Sequence, residues 1–428
     1  MDLKTHAPTN SRRTHFNFVF FVILFYLLFS ATTAQNDPEP GEHSYTYKAI
    51  QACPEIQETM APYEEKEGWR TSEQGILIET LDGGIQLASL NADRLFNPAS
   101  TMKIATTLAA LEKWGKDHRF QTTFQTDGTI DNFSETLHGD LILFSEGDPT
   151  FRLTMVPKMV TELKKIGIRQ VTGNLIINGP MLVNSKYDEY ESAHRLFKTL
   201  KRCGLKIAGN IYWEKRQGTF LVSHLSEPLI EILYYQNARS SNPIADRIGE
   251  ALGGPLGLTM FLIEQVGLDL EEIFITHTSG LDYNRISAHA IVKILRKLHL
   301  WCEKNDVQID EVLPVAGLDP STLSRRFREN EYRGGVLAKT GTLCYTDNGV
   351  SALAGFINSK EYGLLVFSIL NTRGDVLTFQ RWQNKFLKAM IDKAGGMQPF
   401  RKEINERKYL YSRESVVNHL DDSFASKY

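Results

Sequence analysis

The sequence predicts a mixed α/β fold of the α+β kind, on three observations. Two alternating apolar runs meet at Asp82-Gly83-Gly84, a tight-turn signal that makes residues 75–90 a hairpin. A helix over 101–114 is apolar nearly all the way round, so it belongs in an interior. Three strand-like runs, 336–339, 351–357 and 362–370, return near the C-terminus, the last two joined by Asn358-Ser359-Lys360-Glu361. Composition agrees: 428 residues with 42% hydrophobic and 23% charged are ordinary globular usage and leave room for two to three domains of about 150 residues. The balance of 48 Lys+Arg against 51 Asp+Glu speaks against nucleic acid, whose phosphates demand a basic face.

Taken in order, the first element is an export signal. Lys4, Arg12 and Arg13 precede the apolar run 16–30, broken only by Asn17, and Ala31-Thr32-Thr33-Ala34 reads as a small-residue cleavage site. The run is shorter than the roughly 20 residues that span a bilayer, so cleavage is favoured over an uncleaved anchor. Removing 1–34 leaves an exported, soluble, mildly acidic protein. Residues 35–65 open polar and Pro-containing and then become mixed. Asn97 as cap, Pro98 at the first turn and Gly115 past the end delimit the buried helix.

Residues 119–180 read as strands and turns, including 139–144 and 173–178. A basic amphipathic helix over 190–202 and a strand over 206–213 follow. The stretch 228–270 is mainly helical, 286–302 is a helix, and a final helix over 380–394 ends at Gly395-Gly396. The rest carries 6 basic and 5 acidic residues without an apolar face. It reads as a solvated tail, with weak membrane-surface association as the alternative. Cys53, Cys203, Cys302 and Cys344 all lie in the exported part, where two bridges, one or none are open. No close pair of metal ligands stands out.

Chemistry concentrates in three motifs. Ser100-Thr101-Met102-Lys103 is the chain's one Ser-x-x-Lys, at the start of the buried helix. Residues i and i+3 share a helix face, so the lysine amine can reach the hydroxyl, and burial or a second cation would lower its pKa toward that of a base. A surface serine beside a snorkelling lysine is the competing explanation. Lys339-Thr340-Gly341-Thr342 ends a strand, where a cation, hydroxyls and a residue without a side chain can grip an extended peptide by its carboxylate; a plain Gly turn would look the same. Ser240-Ser241-Asn242 places a hydroxyl and an amide two apart. They cannot share a helix face, so they imply a turn into a cleft or, taken singly, a helix cap.

The order Ser-x-x-Lys, Ser-x-Asn, Lys-Thr-Gly matches the penicillin-binding protein and serine β-lactamase signature. Further matches are 95–100, Gly139-Asp140-Leu141, Gly147-Asp148-Pro149-Thr150, Ser226-Glu227-Pro228-Leu229, Ser279-Gly280-Leu281 and Leu313-Pro314-Val315-Ala316-Gly317 with Thr322, Leu323 and Arg325. With them, 75–395 resembles the D-alanyl-D-alanine carboxypeptidase/endopeptidase family of class C low-molecular-mass penicillin-binding proteins. That resemblance implies a β-lactamase/transpeptidase-like three-layer domain, a five-stranded antiparallel sheet between helices, over 35–118 and 223–396. A β-rich accessory insertion over 119–222, shortened near 182–190, interrupts it, and a polar tail follows over 397–428. Departures include His277-Thr278 for the family's Asp-Gly, a loop one residue shorter at 281–285, and Ser145-Glu146 for a glycine pair.

The resemblance also implies roles. Ser100 is the nucleophile, Lys103 the general base and Ser240 the proton relay, while Asn242 binds the substrate amide and orients Lys103. Lys339 lowers the Lys103 pKa and, with Thr340, receives the substrate carboxylate. Gly341 admits the substrate to the strand, and the Thr342 and Ser100 amides form the oxyanion hole. No metal or organic cofactor is required. The implied partners are peptidoglycan stem peptides, with β-lactam antibiotics as covalent inhibitors and no nucleic acid, and the implied location is the periplasm. A serine β-lactamase, for which Tyr235-Gln236-Asn237 mimics a Tyr-x-Asn, and a non-catalytic cell-wall binding protein are the alternatives.

Overall fold

The computed structural model describes residues 53–184 and 188–402, with the backbone of 417–418. The export signal at 1–34 lies outside the described residues. Helix α1 (Pro54–Glu67) occupies part of the stretch that read as mixed. Its sequence signals are Pro54 at the first turn and Gly68, left-handed at φ 67°, but the buried stripe of Ile56, Thr59 and Met60 is narrow among many charges. Strands β1 (Gln74–Thr80) and β2 (Gln86–Leu90) form the expected hairpin, and β3 (Leu95–Phe96) leads to α2 (Lys103–Trp114).

The next stretch contains β4 (Gln121–Thr126), β5 (Thr129–Asp131), β6 (Thr136–His138), β7 (Leu141–Ser145), α3 (Val156–Lys165), β8 (Gln170–Val171), β9 (Leu175–Asn178), α4 (Glu189–Arg202), β10 (Lys206–Ile207), β11 (Ile211–Trp213) and β12 (Thr219–Leu225). Two expectations need correction here. Helix α3 stands in a region that read as strands and turns; it buries Val156, Met159, Val160 and Leu163 at helical spacing. The expected strand over 206–213 is broken, with β10 pairing to β8 and β11 to β9 in another sheet. Gly209 makes the break: a Cβ there would lie 2.2 Å from Asn174 Oδ1, so the chain bends where only glycine fits. Strand β12 also runs past the expected boundary at 222.

Helices α5 (Leu229–Arg239), α6 (Asn242–Ala251) and α7 (Gly254–Phe261) follow, then β13 (Ile273–Phe274), β14 (Arg285–Ser287) and α8 (Ala288–Lys304). The chain continues with β15 (Val336–Leu343), β16 (Val350–Ser359), β17 (Gly363–Thr372) and α9 (Val376–Lys393). Helix α9 starts earlier than expected because Asp375 caps it, accepting from the Thr378 N–H at 2.7 Å.

The principal sheet runs β15-β16-β17-β1-β2, antiparallel throughout. Its strands are apolar on both faces. Ala352, Ala354 and Phe356 of β16 pack with α2, α5, α6 and α8, while Leu353 and Ile357 pack with α1 and α9. The result is three layers, helix, sheet, helix, with β15 at one edge. Residues 121–225 build two further sheets around an apolar core of their own, in which Phe124, Leu141 and Leu175 meet α3 and α4. The tail is not wholly solvated. Met397 bridges Ser359, Arg401 pairs with Asp310 and Asp319, and β18 (Val417–Asn418) pairs with β12. All four cysteines are free thiols, and burial pushes Cys53 up to about 11 and Cys302 up to about 12.

Candidate active site

Ser100 lies on a 3₁₀ turn, Ala99–Met102, that feeds α2. Asn97 does more than cap this turn. Its Oδ1 accepts from the Ala99 N–H at 3.0 Å, while its Nδ2 donates to the Asp282 carbonyl at 2.7 Å and to Asp347 Oδ2 at 3.0 Å. One buried amide thus ties the nucleophile turn to two loops. Ala99, buried at φ 45°, is in the left-handed region that non-glycine residues adopt only where the surroundings hold them there. Removing the Asn97 side chain would leave buried polar partners unsatisfied. Asn97→Ala is therefore expected to cost about 1–3 kcal/mol in a denaturation measurement and to slow acylation of Ser100.

Lys103 is fully buried, and its Nζ has three hydrogen-bond partners: Ser100 Oγ at 2.8 Å, Asn242 Oδ1 at 2.7 Å and the Ser279 carbonyl at 2.7 Å. Two of these can only accept. A neutral amine has two N–H bonds and one lone pair, so donating to Asn242 and Ser279 leaves the lone pair for the Ser100 hydroxyl. Burial pushes the Lys103 pKa down to about 7, the nearby Asp246 carboxylate opposing it. The competing picture of a snorkelling surface lysine is excluded.

Helix α5 ends on Ser240, left-handed at φ 54°, and α6 begins on Asn242. This turn sends the two side chains to different amines, Asn242 to Lys103 and Ser240 to Lys339, whose Nζ donates to Ser240 Oγ at 2.8 Å and to the Thr340 carbonyl at 2.6 Å. Burial lowers the Lys339 pKa well below that of an ordinary lysine, with the Lys103 charge adding to the effect. Burial is the larger cause for both lysines, and the repulsion between the two amines is mutual, so each also holds the other's proton affinity down.

Lys339 itself is fully buried. Along the same strand Thr340 is half-buried and Thr342 exposed, and Thr340 Oγ1 donates to Thr322 Oγ1 at 2.7 Å. Gly341 also faces the nucleophile turn. A Cβ there would lie 2.6 Å from the Pro98 carbonyl oxygen and 3.0 Å from Ala99 Cβ, so the glycine makes room for the Ser100 turn. That contact sets strand β15 against the turn that carries Ser100. Asn237 of Tyr235-Gln236-Asn237 faces the helical core, donating to Thr107 Oγ1 and to the Val312 carbonyl, both at 3.1 Å, so Ser240-Ser241-Asn242 is the triplet in the cleft.

Three participants escaped the sequence reading as site residues. Asp246, one helical turn beyond Asn242, accepts from the Ser279 N–H at 3.0 Å, and its i+4 spacing was a usable signal. The Ser279 carbonyl and the Thr322 hydroxyl are brought in by loops; the family matches at Ser279-Gly280-Leu281 and Thr322-Leu323 marked those loops but not their contacts with Lys103 and Thr340.

The comparisons with known proteins cover the same elements. The D-Ala-D-Ala carboxypeptidase 3 (S13) family model matches residues 56–188 and 179–383. The D-alanyl-D-alanine carboxypeptidase of Actinomadura sp. (strain R39) is 31% identical over 427 residues, 69% of this chain and 77% of that protein. The D-alanyl-D-alanine carboxypeptidase DacB of Haemophilus influenzae is 21% identical over 434 residues, 74% of this chain and 86% of its own. The crystal structure of penicillin binding protein 4 from H. influenzae, complexed with a novel β-lactam, aligns with a TM-score of 0.66 at 21% identity, covering 78% of this chain and 99% of that one. A penicillin G-acylated predatory endopeptidase from Bdellovibrio bacteriovorus, in complex with an immunity protein, gives 0.65 at 21% identity over 77% and 95%. At these identities the solved structures establish the fold, a transpeptidase-like three-layer domain. The matched stretches take in every residue placed in the cleft, from Asn97 to Thr342, and the chain belongs to the D-Ala-D-Ala carboxypeptidase 3 (S13) family of serine peptidases.

Proposed function

We propose that this protein is a serine-type D-Ala-D-Ala carboxypeptidase and DD-endopeptidase that acts on peptidoglycan stem peptides through an acyl-enzyme on Ser100. The observation that carries this reading is the Lys103 network. Two obligate acceptors orient a buried amine so that its free lone pair meets the Ser100 hydroxyl at 2.8 Å. Lys103 takes the hydroxyl proton as Ser100 Oγ attacks the carbonyl of the terminal D-Ala-D-Ala amide or of a cross-link. The Ser100 and Thr342 amides hold the resulting oxyanion, and Thr340 with Thr322 holds the substrate carboxylate.

Proton return follows from the two amines. They repel when both are charged, so protonation of Lys103 favours release of a proton from Lys339. Lys339 bonds Ser240 Oγ, which hands its own proton to the departing amine and is replenished from behind. The C–N bond breaks and the amine leaves with the Ser240 proton. In the second step a water gives a proton back to Lys339 through Ser240 as its oxygen attacks the acyl carbonyl, and Lys103 returns its proton to Ser100 Oγ as the ester bond breaks. A β-lactam presents an equivalent amide and carboxylate to the same groups and is expected to acylate Ser100. The apolar run 16–30 and the small residues at 31–34 support export to the periplasm, where stem peptides lie. In this reading residues 119–222 form an accessory insertion, and 397–428 add at most a weak membrane-surface contact.

The test is a fluorescent penicillin. The mature protein is expected to take up one equivalent, stably, and Ser100→Ala none, with D-Ala released from a stem pentapeptide by the parent alone. Absence of label on the parent would overturn the reading, and rapid turnover of the label would favour a β-lactamase.

A further inference from the structure

Helix α6 brings more than Asn242 to the cleft. Residues 242 and 246 are four apart and share a face, so Asp246 sits directly behind Asn242. Its Oδ1 accepts from the Ser279 N–H at 3.0 Å, and the Ser279 carbonyl accepts from Lys103 Nζ at 2.7 Å. The carboxylate thus grips one end of a residue whose other end grips the base. Neighbouring contacts complete the brace: Thr106 on α2 donates to the Thr278 carbonyl at 2.7 Å, and Gly280 packs against Ala99. The loop 278–280 therefore has a polar attachment to each helix that carries a motif.

Asp246 is half-buried, and none of the motif residues is acidic. The groups facing Lys103 are Ser100 on its own turn, Asn242 and Asp246 from α6, Ser279 from the loop and Lys339 from β15. Arg247, next along α6, is paired with Glu250 and Glu189, and His277 pairs with Asp282 further along the loop. Asp246 is thus the carboxylate that acts on the base.

We infer that Asp246 is a positioning residue for the acylation step: it fixes the Ser279 carbonyl that orients Lys103, and it places a negative charge beside the base. The two tasks separate chemically. Asn at 246 can still accept from the Ser279 N–H but carries no charge, Glu keeps the charge on a longer stem, and Ala supplies neither.

The charge has a definite sign of effect. A nearby carboxylate stabilises the Lys103 ammonium, so losing it lets the amine shed its proton at lower pH. The rate of Ser100 acylation by a fluorescent penicillin, measured against pH from 5 to 9 on the mature protein, reads this directly. In the parent the acid limb is expected near pH 7. In Asp246→Asn the limb should move down by about half to one pH unit. In Asp246→Glu it should stay with the parent, and in Asp246→Ala it should move down while the plateau also falls. An acid limb at the parent pH in Asp246→Asn would overturn the inference, as would a plateau in Asp246→Ala equal to that of Asp246→Asn. Melting curves check that each variant folds. Should Asp246→Asn not fold, Asp246→Ser, a short uncharged acceptor, must show the same displaced limb.

Discussion

Lys103→Met is expected to abolish useful acylation while leaving the fold intact, with the rate of Ser100 labelling by a fluorescent penicillin falling about 10²–10⁴-fold. Methionine has nearly the shape of the lysine stem but no lone pair, so the Ser100 hydroxyl keeps its proton. The stability consequence has a definite direction in pH. Lysine ordinarily titrates at 10.5, and Lys103 in the folded protein at about 7. Between these values the unfolded chain binds a proton that the folded chain gives up, so the parent loses stability as pH falls from 10.5 to 7 and loses no more below. At 1.36 kcal/mol per unit that is about 5 kcal/mol at pH 6. The melting temperature of Lys103→Met relative to the parent should therefore be more favourable at pH 6 than at pH 9. A difference that does not change with pH would contradict the buried, proton-shedding lysine.

The second large effect is expected at a glycine. Gly280 has φ +86°, and a Cβ on it would lie 1.9 Å from the Ala99 carbonyl oxygen and 3.1 Å from Met102 Cβ. Neither neighbour can yield cheaply, because Ala99 is already held at φ 45° and Met102 is buried at the start of α2. Gly280→Ala should therefore push the loop and the Ser100 turn apart. A displacement near 1 Å at a nucleophile costs about 100-fold in rate, and the variant should label that much more slowly than the parent while losing thermal stability as well. An alanine at the exposed Gly363, where a Cβ would meet nothing within 4 Å despite φ +65°, is the control for backbone strain alone. Equal labelling rates for the two variants would refute steric closure around Ser100.

Much of this architecture was legible in residue patterns. The hairpin at Asp82-Gly83-Gly84 and the apolar helix ending at Gly115 follow from turn chemistry and periodicity. So do the late strands, whose two-faced apolar character places the sheet between helices. The three motifs named eight of the residues that line the cleft, because nucleophilic chemistry needs those groups at those spacings. Helix α1 was not legible because its apolar stripe is narrow among many charges, whereas α3 carries a full i, i+3, i+4, i+7 stripe, Val156, Met159, Val160 and Leu163, that the surrounding strand-like runs masked. The strand over 206–213 read as continuous because nothing local says that a Cβ at 209 would lie 2.2 Å from Asn174 Oδ1.

What the sequence determined by itself is which groups can react and in what order along the chain they stand. What the tertiary structure decided is what each of them does. It put Lys103 out of water, so that burial lowers its proton affinity, and it buried Lys339 in contact with Ser240. It also turned Gly341 toward the nucleophile turn and recruited Asp246, Ser279 and Thr322. The physical reason is common to all of these. Desolvation and hydrogen-bond completion depend on what surrounds a group in three dimensions, and the surrounding atoms come from α2, α6, β15 and two loops that are far apart in sequence.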